Sequence, residues 1–184
     1  MSYVLSRTDD LDQRDRRLKI AIAEAIAAFE QSGRMGDAAL VYARHGFPIC
    51  PLTINKLPIP KRDPDPTGQY PEGIPGTGGV YKATTDPIII TAWWRRHPKA
   101  LIGLPTGSRT GIWAIDADTA IDHTQESVTA WQALLLQHET LVTRQHLSST
   151  GGLHVIFNWY PDQPIGFLVR ICISSTNNWS RVNA

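Results

Sequence analysis

Cysteine is scarce in this chain, with only Cys50 and Cys172, which lie far apart in sequence. A disulfide framework or a cysteine-based zinc site requires closely spaced cysteines, so the sequence suggests neither. Residues 1–17 are polar and mixed in charge, which is not the pattern of a secretory signal. Together these features predict a cytoplasmic protein.

The sequence also lacks long apolar runs, blocks of Lys and Arg, and a P-loop motif. No run reaches the length of a membrane span, so no membrane partner is expected. The net charge is +1, without a Lys/Arg block that would indicate nucleic acid by charge alone. The pattern G-x-x-x-x-G-K-[ST], the P-loop that binds nucleotide phosphates, is absent. At 184 residues, the chain suits one domain with a sizeable core.

Two acidic residues end a short apolar stretch in the middle of the chain. Residues 111–118 read Gly-Ile-Trp-Ala-Ile-Asp-Ala-Asp. On a β-strand, Asp116 and Asp118 would share one face, about 7 Å apart. Two carboxylates at that spacing favour a divalent cation with oxygen ligands, such as Mg²⁺ or Mn²⁺, whereas a solvated polar turn is the alternative.

Three helices are predicted before this strand. Apolar residues at helical spacing indicate one helix over 10–32, and Asp37 is a good N-cap for a second that ends before Gly46. The third begins at Asp86-Pro87. The proline-rich residues 57–79 predict a long loop without regular structure.

Four strands are predicted in the second half of the chain. Residues 100–105 and 112–118 are separated by a glycine-containing turn and are expected to be neighbours in one sheet. Residues 141–147 alternate as a strand, and 153–157 follow a Gly-Gly turn. His154 lies just inside the last strand, where backbone N–H groups can approach an anion.

Several motifs occur in an order that resembles the bifunctional DNA primase/polymerase N-terminal domain, the prim-pol branch of the archaeo-eukaryotic primase superfamily. They are Ala39-x-x-Tyr42-Ala43-x-x-Gly46-Phe47, Trp93-Trp94 with Pro98, Ile102-Gly103-Leu104-Pro105-Thr106-Gly107, Ile115-Asp116-Ala117-Asp118 and Ser149-Thr150-Gly151-Gly152-Leu153-His154. The resemblance covers about residues 36–160. We therefore expect residues 1–35 to be an N-terminal helical extension and residues 36–184 to be the catalytic domain.

The resemblance implies an α/β (α+β) fold with an RRM-like mixed sheet flanked by helices. It also implies a nucleotidyltransferase that joins nucleoside triphosphates on a DNA template by two-metal phosphoryl transfer in DNA replication, in some cases that of a mobile element. Because the P-loop pattern is absent, any helicase partner is expected on a separate chain or in a lost C-terminal part. Asp116 and Asp118 would bind the catalytic Mg²⁺ or Mn²⁺. His154, with Thr150, Gly151 and Gly152, would contact the incoming nucleotide.

One part of the family pattern is missing from the sequence. The family carries a third carboxylate on a later strand, and after His154 the only acid is Asp162, in a turn. This predicts a domain that is incomplete at the C-terminus, through truncation or a frameshift near residue 166. The alternative function is therefore a catalytically inactive remnant that binds nucleic acid or nucleotide.

Two other enzyme classes use paired aspartates of this kind. Asp116-Ala117-Asp118-Thr119 resembles the nucleophile motif of haloacid-dehalogenase-type phosphotransferases, but no lysine follows Lys99 and no acidic pair follows Asp122. A glycosyltransferase could hold a metal-bound nucleotide sugar with Asp-x-Asp. That reading leaves the Gly-Gly-x-His turn unexplained.

Overall fold

The computed structural model describes residues 2–117, 131–133, 136, 144–147, 152–160 and 170–173. The chain divides into two compact units. The first unit comprises Met1–Pro105 and Cys172–Ser175, and the second comprises Thr106–Ile171 and Thr176–Ala184. None of the described helices is long and apolar enough to cross a membrane.

The first helix, α1, spans Ser2–Ser32 and begins earlier than the predicted 10–32. Leu18, Ala21 and Ala25 are buried at helical spacing, and α1 packs along the second helix. Gly33 ends α1 in the left-handed conformation (φ 67°), and its N–H donates to the carbonyl of Phe29 at 2.7 Å. A glycine adopts this conformation without the steric cost that a Cβ would add.

The second helix, α2, spans Met35–Arg44, and the predicted N-cap at Asp37 is wrong. Arg34 occupies the cap position, because the chain restarts a helix immediately after Gly33. Asp37 lies in the first turn instead, where its carboxylate suits the helix dipole and accepts from Nε of Arg34 at 2.9 Å. The predicted end is confirmed: Gly46 has φ 77°, and the N–H groups of Gly46 and Phe47 donate to Ala43 and Tyr42, a Schellman motif.

Strands β1 (Cys50–Leu52) and β2 (Leu101–Pro105) of the first unit belong to a small sheet with strand order β1-β2-β6, where β6 is Arg170–Ile173. Strands β1 and β2 are antiparallel, with Cys50 opposite Gly103. Residues 53–78 form turns and bends, as predicted for a loop, and a short 3₁₀ helix follows at Gly79–Lys82. Both faces of β1 are buried, which explains its purely apolar sequence.

The third helix, α3, spans Pro87–Arg96 and confirms the predicted start. The carboxylate of Asp86 accepts from the N–H of Ile88 at 2.8 Å, and Pro87 occupies the first helical position, where no N–H is needed. Ile90 and Trp94 are buried, and Ile88 and Ile89 are exposed. The helix ends at His97, as predicted.

The second unit contains an antiparallel sheet with strand order β3-β5-β4. Strand β3 is Ile112–Ala117, β4 is Arg144–Leu147 and β5 is Leu153–Asn158. Helices together with small antiparallel sheets confirm the predicted α+β class.

The predicted pairing of β2 with β3 is wrong, since the two strands belong to different sheets. Between the two strands, only Gly107 pairs with β3: its N–H donates to the carbonyl of Ile112 at 2.6 Å in an isolated bridge. Gly107 and Gly111 both have positive φ, which turns the chain tightly. The carbonyl of Gly111 then accepts from the N–H of Trp159, beside the strand that does pair with β3.

Candidate functional site

Asp116 and His154 lie opposite each other on neighbouring strands of the second unit. They are Cα partners in the β3–β5 ladder, and Nε2 of His154 lies 3.1 Å from Oδ1 of Asp116. The Asp116 side chain is 42% exposed and the His154 side chain 13%. The pair therefore combines an accessible carboxylate with an imidazole that the surrounding protein largely encloses.

An apolar cluster on one face of the sheet fixes the register that creates this pair. Ala117, Val155 and the helical residue Trp131 are buried together, with Ile115, Leu153 and Phe157 packed against them. Trp113 and Phe157 stack with ring centroids 4.5 Å apart. A slip of one residue would turn this whole set to the other face, so burial of the cluster holds the register strongly.

Side chains alternate between faces along a strand, so Asp116 and His154 lie on the face opposite to Trp131. Their neighbours on that face, Ala114 and Ile156, are buried and directly paired. The polar pair thus follows an apolar pair at the end of β3. Apolar neighbours lower the local dielectric and strengthen the interaction of the pair with a charged ligand.

The register brings a further histidine to the same row of the sheet. His146 on β4 is the Cα partner of His154, which places His146, His154 and Asp116 at one level across three strands. The sequence pattern predicts only that His146 lies in a strand over residues 141–147. A hairpin register for residues 141–157 would have identified it, because the register of a hairpin determines which residues of its two strands face each other.

Other predicted site residues are only partly visible in the structure. Gly152 is buried directly before β5. Asp118, Thr150 and Gly151 lie outside the described residues. Their predicted roles therefore stay predictions.

The donor chemistry of Asp116 suits a hard divalent cation. Mg²⁺ binds through one or two carboxylates together with substrate phosphates and water, and an exposed carboxylate can supply one such ligand. Within the described part of the chain, no three His, Cys, Asp or Glu residues are grouped so that they could hold a metal ion.

Residues 39–179 match the family described as "Bifunctional DNA primase/polymerase, N-terminal". The chain belongs to this family. No curated relative and no solved structure matches it.

The primase/polymerase match includes both sheets and the Asp116–His154 pair. It begins inside α2 and leaves out α1 and residues 35–38. At the other end it continues past residue 160, where the motif resemblance in the sequence stops. Membership indicates DNA primase/polymerase chemistry, and hence nucleotidyl transfer, at the level of the family.

Proposed function

We propose that this chain is a template-directed DNA primase/polymerase domain that joins nucleoside triphosphates by metal-assisted phosphoryl transfer. The observation that carries the proposal is the contact between Asp116 and His154 across β3 and β5, inside the segment that matches the family. At this separation, the carboxylate can bind a cation while the imidazole binds a neighbouring phosphate. The substrates are then DNA template and nucleoside triphosphates.

In this proposal Asp116 and Asp118 hold Mg²⁺ or Mn²⁺. When bound there, the metal would supply positive charge against the charge that develops on the transferred phosphoryl group. The roles of the protein are to position the triphosphate and to limit the access of water to it. An enclosed imidazole and a sheet with fixed register suit this positioning role, because neither needs to reorganise during reaction.

His154 would donate through Nε2–H to a phosphate oxygen of the incoming nucleotide. The same nitrogen lies within hydrogen-bond distance of Asp116 in the structure, so its single N–H would exchange that carboxylate for the phosphate oxygen when the substrate binds. Thr150, Gly151 and Gly152 would bring backbone N–H groups to the same phosphates. These residue roles, and residues 36–184 as the catalytic domain with 1–35 as an extension, are part of the proposal.

Incorporation of labelled nucleotides on a DNA template tests the function. We expect activity with Mg²⁺ or Mn²⁺ in assays with or without a primer, and loss of activity with a chelator. Asp116→Asn and Asp118→Asn should each lower the rate at least about 100-fold, because each removes a carboxylate that would hold the cation against the charge developing on the phosphoryl group. Glu72→Gln removes one exposed carboxylate in the loop of the first unit and should have no effect.

The controls separate the proposal from its alternatives. Circular dichroism and thermal unfolding should be unchanged in the aspartate variants, because the Asp116 side chain is partly exposed. Full synthesis by both variants would reject the assignment of the two aspartates. A wild-type chain that binds DNA and never extends it would instead identify a catalytically inactive binding protein. A separate helicase and a mobile-element host also stay predictions.

A further inference from the structure

An exposed basic segment follows α3 in the first unit. Residues 95–99 read Arg-Arg-His-Pro-Lys, and all five are exposed. The residues on either side, Trp94 and Ala100, are each 5% exposed. We call residues 95–99 the basic turn.

Hydrogen bonds close the basic turn at its base. Nε1 of Trp94 donates to the carbonyl of Ala100 at 3.1 Å, which ties together the two buried residues that flank the turn. The N–H of His97 donates to Trp93 at 2.8 Å, and the N–H of Ala100 donates to His97 at 3.0 Å. The turn is therefore held in one backbone conformation, so less conformational entropy is lost when it binds a ligand.

The charges of the basic turn are not neutralised locally. Among the described residues, Arg95, Arg96 and Lys99 have no salt bridge or side-chain hydrogen bond. No Asp or Glu occurs from Pro87 to Ile115 in the sequence. Other basic side chains of the first unit do pair with acids, for example Lys82 with Asp63 at 2.6 Å.

The helix dipole accounts for only part of this arrangement. Arg95 and Arg96 lie in the last turn of α3, where a cation contributes about 0.3–1 kcal/mol. Lys99 lies beyond the cap residue His97, where this contribution fades within about one turn. A row of cations that continues past the helix end is better explained by an anionic ligand.

We propose that the basic turn binds the phosphate backbone of a nucleic acid strand without reading its sequence. Guanidinium groups bind phosphates through paired N–H donors, and exposed cations gain affinity by releasing counterions from the strand. A membrane surface fits less well, because the turn presents only Pro98 as an apolar residue to insert. The choice of nucleic acid over another polyanion rests on the proposed function.

Binding of the full chain to a fluorescent single-stranded oligonucleotide tests this inference, with no nucleotide and no divalent metal present. Fluorescence anisotropy is measured over a range of salt concentrations for two unrelated sequences. In the variant Arg95→Gln, Arg96→Gln, Lys99→Gln we expect weaker binding of both oligonucleotides. The slope of log affinity against log salt should fall by about 2, because three phosphate contacts are lost at about 0.7 each.

The matched control lowers the net charge by the same amount at other positions of the first unit. Arg44→Gln, Lys56→Gln, Lys61→Gln also neutralises three exposed basic side chains, and its salt slope should stay at the wild-type value. Arg95→Lys, Arg96→Lys should keep the slope, because the charge is retained. Equal losses in the basic-turn variant and the control would overturn the inference, since net charge alone would then explain binding.

Further measurements distinguish nucleic acid from other anionic partners, and distinguish this inference from the proposed catalysis. Phosphatidylserine vesicles or a poly-Glu peptide that bind through the same three residues, where the oligonucleotide does not, would overturn the choice of nucleic acid. Glu72→Gln, at an exposed position outside both proposed sites, should bind the oligonucleotide like the wild type. A chain that never incorporates nucleotides but loses DNA binding in the basic-turn variant would reject the proposed catalysis and support this inference.

Discussion

Nε2 of His154 lies 3.1 Å from Oδ1 of Asp116, although the two residues are far apart in sequence. The contact forms because the β3–β5 ladder makes them direct Cα partners. A pair with a partly exposed carboxylate contributes at most about 1 kcal/mol to stability. An effect of these side chains on activity would therefore report on chemistry and not on folding.

We expect His154→Ala to raise the KM for nucleotide about 10- to 100-fold, because a hydrogen bond to a charged group contributes about 1.5–3 kcal/mol. Steady-state kinetics at saturating template measure KM and kcat separately. His45→Ala is the matched control, since His45 also pairs with a carboxylate, that of Glu24 at 2.9 Å, but lies in the first unit. A rise in KM of equal size in the control would contradict the role of His154.

The loop of the first unit contains a carboxylate with a pH-dependent role. Hydrogen bonds from the Thr67 hydroxyl, and then from the N–H groups of Thr67 and Tyr70, lower the pKa of Asp65. These bonds stabilise the loop above the pKa that Asp65 has in the unfolded chain. That stabilisation is lost as the pH falls through the lowered pKa of the folded state.

We expect Thr67→Val to move the pKa of Asp65 upward, towards its usual range, because the substitution removes the hydroxyl donor at similar volume. Carbon-13 NMR titration of the carboxyl group measures this directly. Thr77→Val is the control. The Thr77 hydroxyl accepts from the N–H of Asp63 and donates to the carbonyl of Ile74, and it forms no hydrogen bond with Asp65. An unchanged titration of Asp65 in the Thr67 variant would show that the hydroxyl is not the cause.

We expect Asp86→Ala to lower the free energy of unfolding by about 1 kcal/mol, because it leaves the N–H groups of Ile88 and Ile89 without their cap. Asp86→Asn should retain most of the stability, since the amide oxygen can accept the same bonds. Urea unfolding provides the measurement. Thr91→Ala, at an exposed position within α3, should change stability little. Equal stability of the Ala and Asn variants would contradict this account.

Local features of the fold could be predicted from sequence because neighbouring residues decide them. The Asp86-Pro87 start of α3 needs only one side chain and two N–H groups beside it. The start of α2 was missed for a similarly local reason: Gly33 ends α1 so abruptly that Arg34 already occupies the cap of α2. The preference for Asp as an N-cap residue takes no account of where the preceding helix ends.

Strand partners and register depend on residues distant in sequence. The sequence of residues 100–118 predicts that β2 and β3 are neighbours, but β3 pairs with β5 because their apolar side chains bury one another with Trp131. Periodicity could place Asp116 on one face of a strand. It could not show that His154 would be its direct partner, or that His146 would share the row.

The packing of α1 along α2 has a practical consequence for anyone who prepares this protein. The family match starts at residue 39, yet Leu18, Ala21 and Ala25 of α1 are buried, and the Arg17 guanidinium lies 5.1 Å from the centre of the Phe47 ring. A shortened chain that begins at the start of the match would lack α1 and would expose the apolar surface of α2 that α1 covers. Recombinant production should therefore keep α1, because the segment that matches the family begins inside α2 and leaves out a helix that packs against it.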